Sequence, residues 1–194
     1  MFATSGRLLR RYYNSYFINN MDIKKTLYLI GGPMGVGKTA VGQYLKHKLP
    51  NAVMLDGDWC WNADPFIVNA ETKAMVMDNI CYLINGFLHS SVYTNIVFSW
   101  VMDQQSIIDE IISHLDKTVC RVRIISLLAN EETLRQRIMS DVQDGTRTVD
   151  VLQRSLDRLP GFQQIHSDKV FTDNKSIRQI ADEILALYPG FPPL

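Results

Sequence analysis

Two kinds of hydrophobic pattern alternate along this chain of 194 residues. Short, nearly continuous apolar runs are typical of buried strands, whereas apolar residues that recur every three or four positions are typical of amphipathic helices. The first pattern predicts strands at residues 26–31, 52–56, 95–101, within 119–129, and at 169–173. The second pattern predicts helices at residues 38–48, 71–89, 104–115, 131 to about 142, about 150–165, and from 176 onward.

Polar residues mark where the later helices begin. Asp103 is predicted to start the helix at 104–115, and Asn130 is predicted to cap the next helix. Ser176 and Gln179 have the spacing of a capping box, in which each side chain satisfies a backbone N–H group of the other residue.

The regular alternation of strands and helices predicts an α/β fold with three layers, in which helices cover both faces of a parallel sheet. The sequence contains no internal repeat, low-complexity tract or linker, so residues 23–194 are predicted to form a single domain. Ligands of such folds bind at the carboxyl ends of the strands, and the polar motifs of this chain fall at those ends.

The composition excludes several classes of partner. The formal net charge is zero, so the chain lacks the basic excess expected for binding a nucleic-acid polymer. No apolar run reaches the length of a membrane span, and no membrane partner is predicted. The three cysteines are odd in number and widely spaced, which favours a reducing, cytoplasmic location.

The first residues differ in composition from the rest of the chain. They contain Arg7, Arg10 and Arg11 but no acidic residue before Asp22, as organelle transit peptides do. The alternative interpretation is a poorly ordered extension over residues 1–22, and we favour it because such compositions arise easily by chance. Organelle targeting stays open as the second possibility.

A glycine-rich segment follows the first predicted strand and opens the first predicted helix. It reads Gly32-x-x-x-x-Gly37-Lys38-Thr39, which is the complete pattern of a phosphate-binding loop (P-loop). Glycines allow backbone amides to converge on a polyphosphate, the lysine reaches its outer phosphates, and the hydroxyl ligates Mg²⁺. The pattern therefore predicts binding of ATP and Mg²⁺ by residues Gly32, Pro33, Met34, Gly35, Val36, Gly37, Lys38, Thr39 and Ala40.

A second polar motif, "LDGDWCW", ends the second predicted strand. Asp56 and Asp58 are spaced so that both can face the P-loop, one near the metal and the other near an attacking hydroxyl. A solvent-exposed Asp-Gly turn is the alternative. Trp59 and Trp61 would either stack on a planar substrate or pack the wall of the substrate site, and Trp59 is the better candidate because it adjoins Asp58.

The P-loop together with "LDGD" resembles the small P-loop kinases of the shikimate, gluconate, adenylylsulfate and nucleoside-monophosphate kinase group. The resemblance spans residues 26–188 and implies a five-stranded sheet of order 2-3-1-4-5. It also implies that Asp56 serves the metal shell and that Asp58 acts as base toward the acceptor hydroxyl.

The same resemblance implies a mobile lid near residues 138–150. By position, Arg137 would stack on adenine at the start of the lid, and Arg147 would hold the transferring phosphoryl group. The alternative is a solvated helix face on which these arginines pair with Glu131, Glu132, Asp141 and Asp144. Arg158 is placed in the acceptor site by a weak match, with an exposed helical arginine as the alternative.

Other features of the chain depart from these kinases. The third strand has no acidic residue until Asp103, and Ser99 and Trp100 replace a glycine-rich turn. The "DGFPR" signature of nucleoside-monophosphate kinases is missing. These departures argue against shikimate as acceptor and against an ordinary adenylate kinase.

The sequence thus predicts a kinase, a monomer or homodimer, that transfers the γ-phosphoryl group of Mg-ATP to a small-molecule acceptor. Lys38, Asp58 and Arg147 are the predicted catalytic residues, and the tryptophans beside Asp58 favour a nucleoside- or nucleotide-like acceptor. A sugar- or antibiotic-modifying kinase of the same fold is one alternative. A regulatory switch that binds ATP without an acceptor is another.

Overall fold

The structure is a computed structural model that describes residues 25–189. Five strands form its central sheet, and the notation used here numbers them in chain order. They are β1 (Lys25–Gly31), β2 (Ala52–Asp56), β3 (Asn95–Ser99), β4 (Cys120–Leu128) and β5 (Asp168–Phe171).

Six α-helices surround the sheet, and a 3₁₀ helix (Gly57–Trp61) follows β2 directly. The α-helices are α1 (Lys38–Lys48), α2 (Ala70–His89), α3 (Gln105–Ser113), α4 (Glu131–Gln143), α5 (Asp150–Gln164) and α6 (Ile177–Ala186).

The sheet is entirely parallel and has the order β2-β3-β1-β4-β5. The predicted α/β fold and the predicted strand order are therefore confirmed. Since β1 lies in the middle, the loop that follows it is flanked by the carboxyl ends of β3 and β4. This is the position at which open parallel sheets bind their ligands.

Side chains of β1 alternate between two hydrophobic cores, one on each face of the sheet. Leu27 and Leu29 point into the core covered by α2 and α3, while Tyr28 and Ile30 point into the core covered by α1, α4 and α6. All four are fully buried. Because a strand buried on both faces has no polar side, its sequence reads as a continuous apolar run, as observed.

Two of the predicted helix starts are confirmed and one is wrong. The Asn130 side chain accepts a hydrogen bond from the Thr133 N–H group at 2.8 Å, and Ser176 forms a capping box with Gln179. Asp103, however, does not start α3, which begins at Gln105 and lacks a side-chain cap. β3 also ends at Ser99 rather than at 101.

The Asp103 side chain has a different partner. Its carboxylate lies 3.4 Å from Nε of Arg158 on α5. This ion pair links the loop after β3 to α5. The Asp103 carboxylate therefore pairs with an arginine instead of capping a helix, which is the role that the sequence pattern had predicted.

Three other predictions concern the N-terminal extension, the lid and membrane-spanning helices. The extension at residues 1–22 lies outside the described residues. Residues 144–149 join α4 to α5 inside the segment predicted to be a lid, and the lid stays a prediction. Between residues 25 and 189, no helix is both long and apolar enough to cross a membrane.

The packing of α2 generates a test of the core. Ile80 is fully buried on this helix, whereas Tyr82, two positions later, is 80% exposed. We expect Ile80→Ala to lower the free energy of unfolding by about 2–5 kcal/mol, because it removes buried methyl groups and leaves a cavity. The matched change Tyr82→Ala is expected to stay within about 0.5 kcal/mol of the parent protein in urea denaturation. Equal losses for the two variants would contradict the assignment of the buried face.

Candidate active site

The P-loop has the backbone conformation that its glycines predict. Gly35 has φ +80° and Gly37 has φ +101°, a region that residues with a side chain rarely adopt. Gly35 also lies so close to α4 that an added Cβ would be 2.6 Å from Cγ1 of Ile138. The loop therefore needs glycine at this position both for its torsion angle and for its packing.

Lys38 begins α1 and folds back over the loop. Its Nζ donates hydrogen bonds to the carbonyl oxygens of Gly32 (2.9 Å) and Pro33 (3.0 Å). Burial lowers the pKa of Lys38 to about 8, the charges of Asp58 and Asp56 oppose this shift, and those of Arg147 and Arg158 add to it. The ammonium group is thus held in a desolvated position among charged groups at the mouth of the loop.

Thr39 and Asp56 meet directly across the site. The Thr39 hydroxyl donates to Oδ2 of Asp56 at 2.6 Å, and the Ser99 hydroxyl donates to the same oxygen at 3.1 Å. Asp56 is 5% exposed and Ser99 is fully buried. The end of β2, the end of β3 and the start of α1 therefore share one carboxylate.

This pair of oxygen ligands fits Mg²⁺. In nucleotide sites that ion keeps several waters and takes one or two protein oxygens together with phosphate oxygens. Among the described residues, no group of three or more His, Cys, Asp or Glu side chains could hold a metal ion by protein ligands alone. A hydroxyl and a carboxylate at hydrogen-bonding distance, next to the P-loop, match the requirement for a metal held partly by its nucleotide.

Asp58 lies beyond Asp56 in the short 3₁₀ helix, and its backbone N–H group donates to Oδ1 of Asp56 at 3.1 Å. Solvent reaches the Asp58 side chain, yet enough protein surrounds it to raise its pKa by burial, and the charge of Asp56 adds to this effect. The charge of Lys38 and the indole N–H of Trp100 act in the opposite direction. Asp58 is thus a carboxylate with an increased proton affinity opposite the P-loop lysine.

Trp100 takes its position because residue 57 is glycine. A Cβ on Gly57 would collide with the indole ring, which packs directly on the Gly57 backbone. The Trp100 backbone N–H group donates to the Ile30 carbonyl oxygen at 3.2 Å, and its indole side chain interacts with Asp58.

Arg137 connects the P-loop to the end of β5. Its Nη1 donates to Oγ1 of Thr172 at 3.0 Å and to the Val36 carbonyl oxygen at 3.3 Å, and its Nη2 donates to the Thr172 carbonyl oxygen at 2.9 Å. The guanidinium group lies beside the P-loop. Stacking on adenine stays a prediction.

Arg147 and Arg158 both have carboxylate partners. Arg147 contacts Asp141 with a distance of 2.8 Å between Nε and Oδ2, and Arg158 contacts Asp103. Asp141 is one of the partners that the surface interpretation of Arg147 named. Both arginines nevertheless lower the pKa of Lys38, so both charges act on the site.

The two tryptophans of "LDGDWCW" differ in environment. Trp59 is 55% exposed, whereas Trp61 is largely covered and packs against Phe66 with 4.7 Å between ring centroids. Trp59 is therefore accessible to a ligand beside Asp58, whereas Trp61 packs against the hydrophobic core.

Four residues that contact the site were not predicted from the sequence as contributors to it, namely Ser99, Trp100, Ser155 and Thr172. Ser99 ends β3 and Trp100 follows it, which is a usable signal, but their contacts depend on the pairing of β3 with β2. Ser155 is fully buried and donates its hydroxyl to the Met34 carbonyl oxygen at 2.8 Å. Nothing in the helical pattern around Ser155 indicates a P-loop contact.

The chain belongs to the AAA domain family, which matches residues 29–150. No curated protein sequence matches it significantly. The matched range contains the P-loop, Asp56, Asp58 and Arg147.

Three solved structures illustrate the shared fold. A gluconokinase from Sinorhizobium meliloti 1021 has 16% identity and a TM-score of 0.61, covering 84% of this chain and 91% of that one. The tunicamycin resistance protein of Deinococcus radiodurans has 19% identity and a TM-score of 0.62, covering 87% and 99%. Shikimate kinase from Acinetobacter baumannii in complex with shikimate has 22% identity and a TM-score of 0.58, covering 87% and 95%. The predicted P-loop fold is therefore confirmed.

The conformation of the P-loop yields a substitution test. We expect Gly35→Ala to destabilise the protein by about 1–3 kcal/mol and to weaken nucleotide binding, because alanine resists a positive φ and its Cβ would press on Ile138. Gly86, in the exposed part of α2, has open space around an added Cβ and serves as the control. Gly86→Ala is expected to raise stability by about 0.5–1 kcal/mol. Thermal unfolding and nucleotide titration measure both effects, and a neutral Gly35→Ala would contradict the described geometry.

Proposed function

We propose that this member of the AAA domain family is an ATP-dependent phosphotransferase. It would move the γ-phosphoryl group of Mg-ATP to a hydroxyl or phosphate of a small-molecule acceptor. The observation that carries this proposal is the set of hydrogen bonds that joins the P-loop helix to both aspartates, because Asp56 accepts from the Thr39 hydroxyl at 2.6 Å and from the Asp58 backbone N–H group at 3.1 Å.

The P-loop would bind the nucleotide through its backbone amides, from Gly32 to Ala40, and through Lys38. Thr39 and Asp56 would hold Mg²⁺, which supplies neutralisation of the phosphate charge and alignment of the phosphate oxygens. Their existing contact at 2.6 Å supports this role because the two side chains already converge on one point.

Asp58 would act on the acceptor. As the acceptor oxygen forms its bond to the γ-phosphorus and the bond from that phosphorus to the leaving ADP oxygen breaks, Asp58 would take the proton of the acceptor hydroxyl. A raised pKa suits a general base of this kind, because it increases the affinity of the carboxylate for the proton. Arg147 would neutralise charge on the transferring group from a lid near residues 138–150.

The acceptor site would lie next to Asp58, on the side of Trp59 and Arg158. An exposed indole beside the base supports a planar acceptor such as a nucleoside or nucleotide. A sugar or antibiotic acceptor is the alternative, and the gluconokinase and the tunicamycin resistance protein among the structural neighbours support it.

The setting of the reaction is also part of the proposal. We propose that the protein is cytoplasmic, that it is a monomer or homodimer, and that it has no nucleic-acid or membrane partner. Residues 1–22 would form an extension that precedes the kinase domain. A regulatory switch that binds ATP without an acceptor is the rival from another class. Such a switch would hydrolyse ATP slowly by itself, whereas a kinase would release ADP quickly only with its acceptor.

We expect Asp58→Asn to abolish phosphoryl transfer while leaving Mg-ATP binding intact. The loss should be about 10²–10⁴-fold in kcat, since that is the usual contribution of a general base. The measurement is ADP release across a panel of nucleosides, nucleotides, sugars and antibiotics, with ATP affinity determined separately. Asp182→Asn, on the exposed side of α6, is the matched control and should retain full activity.

Two results would contradict the proposal. Unchanged turnover in Asp58→Asn would remove the assigned base. Acceptor-independent hydrolysis that is unaffected by every compound of the panel would favour the switch.

A further inference from the structure

The end of helix α4 has a geometry that determines where Arg147 lies. Gly145 has φ +72°, and its N–H group donates to the Val142 carbonyl oxygen at 3.1 Å. The next N–H group, that of Thr146, donates to the Asp141 carbonyl oxygen at 2.9 Å. These two hydrogen bonds form a Schellman motif, which ends a helix and reverses the direction of the chain.

The reversal brings the chain back over Asp141. The Thr146 hydroxyl also donates to the Asp141 carbonyl oxygen, at 2.9 Å, and the Asp141 carboxylate contacts Arg147. Both the main chain and the side chain of Asp141 therefore hold the residues that follow the helix.

The contact between Asp141 and Arg147 uses one particular nitrogen. Oδ2 of Asp141 lies 2.8 Å from Nε of Arg147, which leaves the two terminal nitrogens of the guanidinium group available to an anionic ligand. The pair is partly exposed, with 34% and 40% of the two side chains accessible, so it contributes little to stability. Its effect is on the direction in which the guanidinium group points.

Helix α4 runs beside the P-loop, since a Cβ added to Gly35 would lie 2.6 Å from Ile138, one helical turn before Asp141. The charge of Arg147 lowers the pKa of both Lys38 and Asp58, although all three residues come from different parts of the chain. Arg147 is therefore held at the end of α4 by Asp141, while its charge acts on Lys38 and Asp58.

We propose that Asp141 is a positioning residue that anchors Arg147 through Nε, so that its terminal nitrogens bind the outermost phosphate of the nucleotide held by Lys38. This inference rests on the proposed function, because it requires a nucleoside triphosphate in the P-loop. It gives the ion pair a role that the surface interpretation of Arg147 does not include.

The test compares two nucleotides that differ in the outermost phosphate. We would measure the affinities for Mg-AMP-PNP and Mg-ADP by calorimetry on the full chain, which requires no knowledge of the acceptor. Arg147→Ala is expected to weaken Mg-AMP-PNP binding about tenfold or more, as the loss of a charge-assisted contact predicts, and to leave Mg-ADP binding unchanged. Asp141→Ala is expected to weaken Mg-AMP-PNP about three- to tenfold, again without an effect on Mg-ADP.

Further variants separate positioning from a general structural effect. Asp141→Asn retains an acceptor oxygen for Nε and should recover part of the loss. Asp144→Ala removes the neighbouring acidic side chain and is the matched control, expected to bind both nucleotides as the parent does. Gly145→Ala, which opposes the positive φ, should change the affinities in the same direction as Asp141→Ala. The double variant Asp141→Ala/Arg147→Ala should be no weaker than Arg147→Ala alone, since both changes remove one contact.

The possible failures are distinct. Equal loss of both affinities in Asp141→Ala, or no loss of Mg-AMP-PNP binding, would overturn the positioning role. An unchanged ratio of affinities in Arg147→Ala would overturn the contact with the outermost phosphate. If the parent protein bound neither nucleotide, the proposed function itself would fail.

Discussion

The pairing register of the three strands β2, β3 and β1 is the constraint on which the site depends. Asp56 is paired with Ser99, and Ser99 is paired with Ile30, so these residues form one row across the sheet. The row ends where the P-loop begins, and it brings the Asp56 carboxylate to the hydroxyl of Thr39 on α1. A shift of one residue in β2 would turn Asp56 to the opposite face of the sheet and separate it from both hydroxyls.

Desolvation gives the resulting cluster its chemical character. Burial lowers the pKa of Lys38 and raises the pKa of Asp58, and the attraction between their charges opposes both shifts. A triphosphate would supply negative charge next to a buried ammonium group, and an acceptor hydroxyl would meet a carboxylate that holds a proton more readily than usual. The raised pKa of Asp58 thus favours the reaction that we propose, and the phosphate charge would offset the lowered pKa of Lys38.

The sequence predicted the strands, the helices and the P-loop because those features are local. Apolar runs specify β1 and β3 regardless of distant residues, and the torsion angles of Gly35 and Gly37 follow from the glycine pattern itself. The strand order came from the resemblance to small P-loop kinases rather than from periodicity.

The contacts around the P-loop were not predictable because they join residues far apart in the chain. Arg137 bonds to Thr172, and Asp103 pairs with Arg158, which no local pattern encodes. Asp103 is the instructive error. An acidic residue directly before a helical pattern is a reasonable helix cap. In the folded chain, however, α5 lies close enough for Arg158 to form an ion pair with the Asp103 carboxylate.

The hydrogen bonds to Met34 and Val36 carry a consequence for rigidity. Ser155 of α5 and Arg137 of α4 hold these two P-loop carbonyl oxygens from outside the loop. A peptide whose oxygen is fastened on one side cannot rotate freely, so the loop loses much of its conformational freedom when the domain folds. The P-loop therefore loses little further conformational entropy when it binds an anion. The glycine-rich segment is flexible in the unfolded chain but not in the folded domain.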